Sequence, residues 1–184
     1  KRKVLNGFKA SHHIVGSYYS DSENLDAVIV GSDEVFALHT GPTPVFFGHA
    51  CPSDTVFSYA GCFGPTTVSD IKQKHCVPFV ASGLAAMKGV SVRDKNSQNI
   101  VKELTGIDAK LVCDPVILYG YKKELEDLKT VNYSPYLLIY AYDNRMNDEE
   151  EVKRIKQYAK IRGLKTLSPG FYHEWCDYNV NVNP

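Results

Sequence analysis

The residues most able to do chemistry stand at the ends of short apolar runs. "DAVIVGSDEVF", Asp26 to Phe36, is a β-branched run that stops on Gly31, Ser32 and Asp33. "VFSYAGCFG" delivers Ser58 and Tyr59, then Gly61 and Gly64. "GVSVRD" delivers Ser91 and Arg93, and "KLVCDP" delivers Asp114. Ligands of open parallel sheets bind beyond the carboxyl ends of the strands, so four such endings along one edge would form a rim. Arg93 offers a planar fork of donors that matches phosphate or carboxylate. It could equally serve as a surface ion-pair partner. Asp33 could face a ligand or merely cap its own turn. Gly61 and Gly64 could let backbone N–H groups approach an anion, or could simply form turns. Asp114-Pro115 reads mainly as an architectural stop.

Those endings require strands alternating with helices. Ala27 to Val30 reads as a strand covered on both faces. Thr55 to Ala60, Val90 to Val92 and Lys110 to Cys113 read as further strands. Val68 to Cys76 and Phe79 to Met87 read as helices parted by Pro78, which lacks an N–H. Lys95 to Leu104 is the next helix, closed by Gly106. Gly120 to Ser134 is polar and Lys/Glu-rich and reads as a linker. Then Tyr136 to Tyr140 is a strand, and Asn147 with Glu150 fits a capping box. Val152, Ile155 and Ala159 form one apolar helical stripe, Glu149 can pair with Lys153, and Gly163 ends the helix. Leu164 to Leu167 is the following strand. The expected fold is α/β, a Rossmann-like parallel sheet with flanking helices. Residues 1–120 form its first domain, 121–134 a linker, and 135–184 the opening of a second Rossmann-like domain. One βαβ unit cannot cover both faces of its sheet, so that second domain is expected to continue past this stretch.

Composition removes several function classes. Lys plus Arg number 21 and Asp plus Glu number 21, so no net field favours nucleic acid or an acidic membrane surface. The apolar runs reach about half a transmembrane span, and the start "KRKVLNGFKASHH" has no signal-peptide core. The chain begins without Met, so a preceding segment or its removal is expected. Cys51, Cys62, Cys76, Cys113 and Cys176 are scattered and form no C-x-x-C pair. They read as reduced thiols of a cytoplasmic protein, without a metal site. His12-His13 reads as an exposed pair, His39 and His49 as loop residues, and His75 as a helix-surface residue. None has a partner at H-x-x-x-H spacing.

Taken in order, "DAVIVGSDEVF", "PVFFG", "VFSYAGCFG", "GVSVRDKNSQNIVKELTG" and "AKLVCDPVILYG" resemble the polysaccharide pyruvyl transferase family. That family reads D-x-x-I-V-G-S-D-Q-x-W, a Y-F-L-like strand, S-Y-A-A-S-F-G, I-S-V-R-E and L-D-P-T-L-L. The resemblance is close from Leu25 to Leu118 and looser from Tyr136 onward. It implies two Rossmann-like domains facing across a cleft in a GT-B-like architecture. It also implies an enzyme of exopolysaccharide or cell-surface glycan synthesis that needs no cofactor. The donor is phosphoenolpyruvate; the acceptor is a nucleotide- or lipid-linked sugar or a glycan. Arg93 matches the Arg of S-V-R and is assigned to the donor's phosphate or carboxylate. Asp33 and Ser32 match G-S-D and would line the cleft, with Asp33 the candidate catalytic residue. Ser58, Tyr59 and Gly64 match S-Y-A-x-x-F-G as substrate-binding positions, and Asp114 matches D-P.

The departures are specific. Glu34 stands for Gln, Phe36 for Trp, and Gly61-Cys62 for Ala-Ser. The resemblance places a glycine-rich opening before Lys1. It places the favoured general acid, a histidine in an S-F-H-G-type stretch, beyond Pro184. These 184 residues alone are therefore expected to be inactive, with the activity in a longer parent. Two other readings are a GT-B-like nucleotide-sugar glycosyltransferase and a non-catalytic carbohydrate-binding or scaffold domain.

Overall fold

A computed structural model describes residues 2–11, 25–39, 41–126 and 135–180. The chain divides into two compact units, Gly16–Asp127, and Lys1–Val15 together with Leu128–Pro184. The pair His12-His13, the last eight linker residues 127–134 and the tail 181–184 lie outside the described residues. Helix α1 spans Arg2–Ser11.

In the first unit, β1 (Val28–Val30), β2 (Val56–Gly61), β3 (Gly89–Val92) and β4 (Lys110–Leu111) form one sheet in the order β1-β2-β3-β4. Every neighbouring pair is parallel. Helices α2 (Val68–Gln73) and α3 (Val77–Ala86) join β2 to β3, and α4 (Lys95–Thr105) joins β3 to β4. Right-handed crossovers that always step in one direction place their helices on one face of the sheet. The core follows: Val30, Val56, Val90 and Val92 meet Ile71, Val80, Leu84, Ile100 and Val101. On the opposite face Ile29 is 68% and its register partner Phe57 38% exposed. This corrects the reading of Ala27 to Val30 as covered on both sides. A continuous β-branched run does not by itself report a second layer.

Local chemistry fixes the helix ends. Thr67 and Asp70 form a capping box at α2, with bonds of 2.7 and 3.2 Å. Asp94 caps α4 by accepting from Ser97 N–H at 2.8 Å. Pro78 lies inside the first turn of α3, where a missing N–H costs nothing. It therefore opens that helix rather than delaying it to Phe79. After β4 comes α5 (Pro115–Tyr119), and α6 (Lys122–Glu126) then occupies the start of the stretch read as linker.

Three loops are locked together by aromatic rings. Phe36 follows β1, Phe47 ends a 3-10 turn at Pro44–Phe47, and Phe63 follows β2. All three are fully buried, with centroid distances of 5.4, 5.3 and 6.3 Å. Such contacts stabilise beyond simple burial. Here they fix the chain immediately beyond the strand ends, where the rim residues stand.

The second unit holds β5 (Tyr136–Leu138), α7 (Glu149–Ile161), β6 (Lys165–Pro169) and β7 (Tyr178–Val180). Its sheet runs β5-β6-β7, all parallel. The third strand goes beyond the single crossover expected. The cap of α7 is Asp148, accepting from Glu151 N–H at 2.9 Å, one residue on from the expected box. Asn147 instead donates to Asp143 O. Lys153 pairs with Glu150 at 3.4 Å rather than with Glu149. No helix among the described residues is long and apolar enough to cross a membrane.

Candidate functional site

The carboxyl edge of the first sheet gathers one guanidinium and two carboxylates. Arg93 follows β3 directly. Its Nη2 donates to Asp33 Oδ1 at 3.0 Å and its Nη1 to Asp114 Oδ2 at 3.3 Å. Asp33 comes from beyond β1 and Asp114 from beyond β4, so the cluster spans the sheet edge. The partners differ in exposure: the side chains of Arg93 and Asp114 are 28% and 26% exposed, that of Asp33 is 81% exposed. Asp114 uses its other oxygen to cap α5, accepting from Val116 N–H at 2.9 Å. It is both architectural and part of the charged cluster; the sequence reading gave it mainly the first role.

The backbone under Asp33 is held tightly. Asp33 pairs with Gly61 across the end of the sheet, and its carbonyl accepts from Cys62 N–H at 2.9 Å. Its φ is 77°, in the left-handed region that Asp tolerates better than most residues. Gly31 has φ 128°, and a Cβ there would lie 2.1 Å from the Tyr59 carbonyl oxygen. Only glycine fits that approach.

The remaining candidates separate. Ser58 is buried; its Oγ donates to Ser91 O at 3.1 Å and accepts from Ser91 N–H at 3.1 Å. It clasps β2 to β3 inside the sheet, and the structure does not bring it to the rim. Tyr59 Oη donates to Cys113 O at 3.3 Å, beside Asp114. Ser32 is half-buried next to Asp33. Gly64 sits at φ 53°, with its carbonyl bonded to Asn96 Nδ2 at 3.3 Å. Ser97 Oγ receives Phe63 N–H at 2.9 Å, tying the start of α4 to the same loop.

Cys62 was not singled out by sequence, yet it lies in this cluster. Burial raises its thiol above the ordinary value, against the lowering effects of Gly64 N–H and Arg93. Partial burial works against the charge of Arg93, but its interactions with Cys62 and Asp33 outweigh that and raise it. Arg93 thus stays a fixed cation, and Cys62 a neutral thiol at neutral pH. Among the described residues no three His, Cys, Asp or Glu side chains gather as a metal would need. His49 is used structurally, its Nε2 2.9 Å from Phe79 O.

The fold and this edge define an α/β protein of all-parallel sheets with a charged cluster where such sheets take their ligands. Residues 1–180 match the family model described as polysaccharide pyruvyl transferase, and the chain belongs to that family. No curated protein and no solved structure matches the chain.

Proposed function

We propose that this chain supplies the donor-binding edge of a transferase that moves the pyruvyl unit of phosphoenolpyruvate onto a pair of sugar hydroxyls. The two units would correspond to the two halves of a GT-B-like enzyme acting in exopolysaccharide or cell-surface glycan synthesis. Family membership supports the reaction class. The observation that carries the residue assignment is Arg93, set between a half-buried and an exposed carboxylate at the strand edge.

The reaction needs three things. One sugar hydroxyl adds to C2 of the enolpyruvyl group while the methylene carbon takes a proton and becomes methyl. The second hydroxyl then displaces phosphate from the same carbon, closing the ketal and releasing a proton. The charge leaving on phosphate must be stabilised throughout. Arg93 supplies the third need. It keeps Asp114 through Nη1 and exchanges Asp33 at Nη2 for the donor's phosphate or carboxylate. The displaced Asp33 carboxylate is then free to accept the proton of an attacking hydroxyl. Ser32 and Tyr59 flank the same edge. The methylene proton requires another group, since a guanidinium and an ionised carboxylate cannot give it.

Calorimetric titration with phosphoenolpyruvate tests the assignment. Arg93→Ala should weaken binding by roughly 1.5–3 kcal/mol, the scale of a hydrogen bond to a charged group. Unchanged donor affinity would remove Arg93 from the site. Ketal-linked pyruvate on a product glycan would establish the reaction; release of a nucleoside diphosphate instead would replace it with glycosyl transfer.

A further inference from the structure

The carboxyl edge of the second sheet carries a site that the proposed reaction does not use. At such an edge a parallel sheet and the N-terminus of the next helix ordinarily receive an anion. Here α7 is capped by Asp148 and opens on Glu149, Glu150 and Glu151. These acids answer the positive end of the helix and repel phosphate. A cavity of about 660 Å³ lies beside this turn, in the size range of small-ligand sites. Asp143 walls it from beyond β5, Glu149 and Lys156 from α7, and Tyr172 to Trp175 from the loop after β6.

The wall is acidic. Ionised carboxylates accept hydrogen bonds and donate none. Asp143, Glu149 and Glu174 bring three of them, and none pairs with a cation among the described residues. Against them stands Lys156, which the cavity shares with a neighbouring one of about 390 Å³. Three carboxylates facing one ammonium leave two negative charges unanswered.

A second observation is independent of charge. His173 lines the same cavity and is 1% exposed. Its backbone is clamped to Asn179, its N–H donating to Oδ1 at 2.9 Å and its carbonyl accepting from Nδ2 at 2.9 Å. Its Nε2 lies 3.0 Å from Ala141 O. A carbonyl oxygen only accepts, so Nε2 carries the ring proton, and Nδ1 of the neutral ring is an acceptor. Nδ1 is buried, and no group among the described residues donates to it. The ionised carboxylates cannot, being acceptors themselves. A buried acceptor left unpaired is costly. A water molecule would satisfy the nitrogen alone; an ammonium group satisfies the nitrogen and the charge together.

The aromatic residues fit the same kind of ligand. Trp175 is held by its Nε1–H, which donates to Met146 O at 3.0 Å, and its ring centroid lies 5.8 Å from that of His173. With Tyr172 it lines the cavity. Aromatic faces attract ammonium groups and cover the methylenes that join them.

We propose that this cavity binds a short aliphatic polyamine. One ammonium donates to His173 Nδ1 and to a carboxylate. A second pairs with the remaining carboxylates, and the carbon chain lies on Trp175 and Tyr172. The site stands on residues of the second unit and is independent of Arg93.

Trp175 is the chain's only tryptophan, so its emission reports on the cavity directly. The full chain is titrated with putrescine, spermidine, butylamine, fully N-methylated putrescine and magnesium chloride. Butylamine has a single charge. Methylated putrescine keeps both charges but has no N–H for Nδ1, and magnesium has charge without a carbon chain. Putrescine or spermidine should give a saturable change with a Kd about tenfold or more below those of the other three. Glu149→Gln with Glu174→Gln should weaken that binding about tenfold or more. Both side chains are exposed, so circular dichroism should show an unchanged fold. The proposal is overturned if no polyamine perturbs Trp175, or if the double variant binds like wild type. It is equally overturned if butylamine, methylated putrescine or magnesium binds as tightly, since the cavity would then collect counterions only. Arg93→Ala should leave these titrations unchanged, so loss of the phosphoenolpyruvate assignment and loss of this site read out separately.

Discussion

Asp33→Asn separates the two roles proposed at the sheet edge. The substitution keeps the side chain's shape and removes one of the two carboxylates on Arg93. Its effect on folding should be small. Asp33 is 81% exposed at the side chain, and exposed ion pairs contribute about 0–1 kcal/mol. Its effect on the donor should be larger and favourable. In the resting site Asp33 occupies the Nη2 position that the donor needs, and it repels an anion arriving there. One like charge at ~5 Å in a nearly aqueous dielectric costs ~0.8 kcal/mol. Phosphoenolpyruvate carries more than one negative charge, and salt screens the sum, so a net gain of about 1 kcal/mol is expected. That is roughly a fivefold tighter Kd by calorimetry, shrinking as salt is added. Turnover of a catalytically complete protein should fall in the same variant, because the acceptor of the hydroxyl proton is gone. Tighter donor binding with slower turnover is a combination that a turn-capping Asp33 cannot produce. Unchanged or weaker donor binding would refute the exchange at Nη2.

Further outcomes follow from the same geometry. Arg93→Lys should recover only part of the donor affinity lost in Arg93→Ala, because one ammonium cannot span Asp33 and Asp114 as the fork does; equal affinity for Lys and Arg would contradict this. Gly31→Ala should destabilise by more than ~2 kcal/mol in urea unfolding, since φ 128° and a Cβ 2.1 Å from a backbone oxygen leave no relaxed solution. Asp177 is held below the usual carboxylate range by Thr166 N–H, then by the Thr166 hydroxyl. Its stabilising contribution is therefore present above the unfolded-state pKa near 4 and disappears as pH falls through the lower folded value. Asp177→Asn should flatten that acid limb of Trp175-monitored unfolding, and an unaltered limb would exclude the group. Because burial raises the Cys62 and Cys176 thiols, Ellman's reagent at pH 7.5 should label exposed Cys113 well before either; simultaneous labelling would contradict their burial.

The strands and the rim were legible because each motif ends a β-branched run on residues that cannot continue it. Gly-Ser-Asp after Val30 and Asp-Pro after Cys113 are local signals, and the structure places them at strand ends. Which rim residues meet is not local. Arg93 and Asp33 are 60 residues apart, and their contact depends on β1 and β3 flanking β2. Ser58 misled because strand alternation does not say whether a hydroxyl faces a cleft or a neighbouring strand.

Two departures from the family pattern lie side by side. The family pattern has Trp where Phe36 stands and Ala where Gly61 stands. A Cβ on Gly61 would lie 2.7 Å from Phe36 Cε2 and 3.1 Å from its Cζ, so the ring tip fills the space an alanine methyl would need. Phe36 cannot simply tilt away, because Phe47 and Phe63 hold it at 5.4 and 5.3 Å. Gly61→Ala should therefore cost about 1–3 kcal/mol, as overpacking does. Phe36→Leu removes the obstructing ring atoms and should cost ~1.5–4 kcal/mol through loss of aromatic packing. In the double variant the methyl has room, so the combined loss should fall short of the two single losses by about 1 kcal/mol or more. Urea denaturation of the four proteins measures the difference. Losses that add to within ~0.5 kcal/mol would mean that the two positions do not interact, and that the glycine answers to something other than this ring.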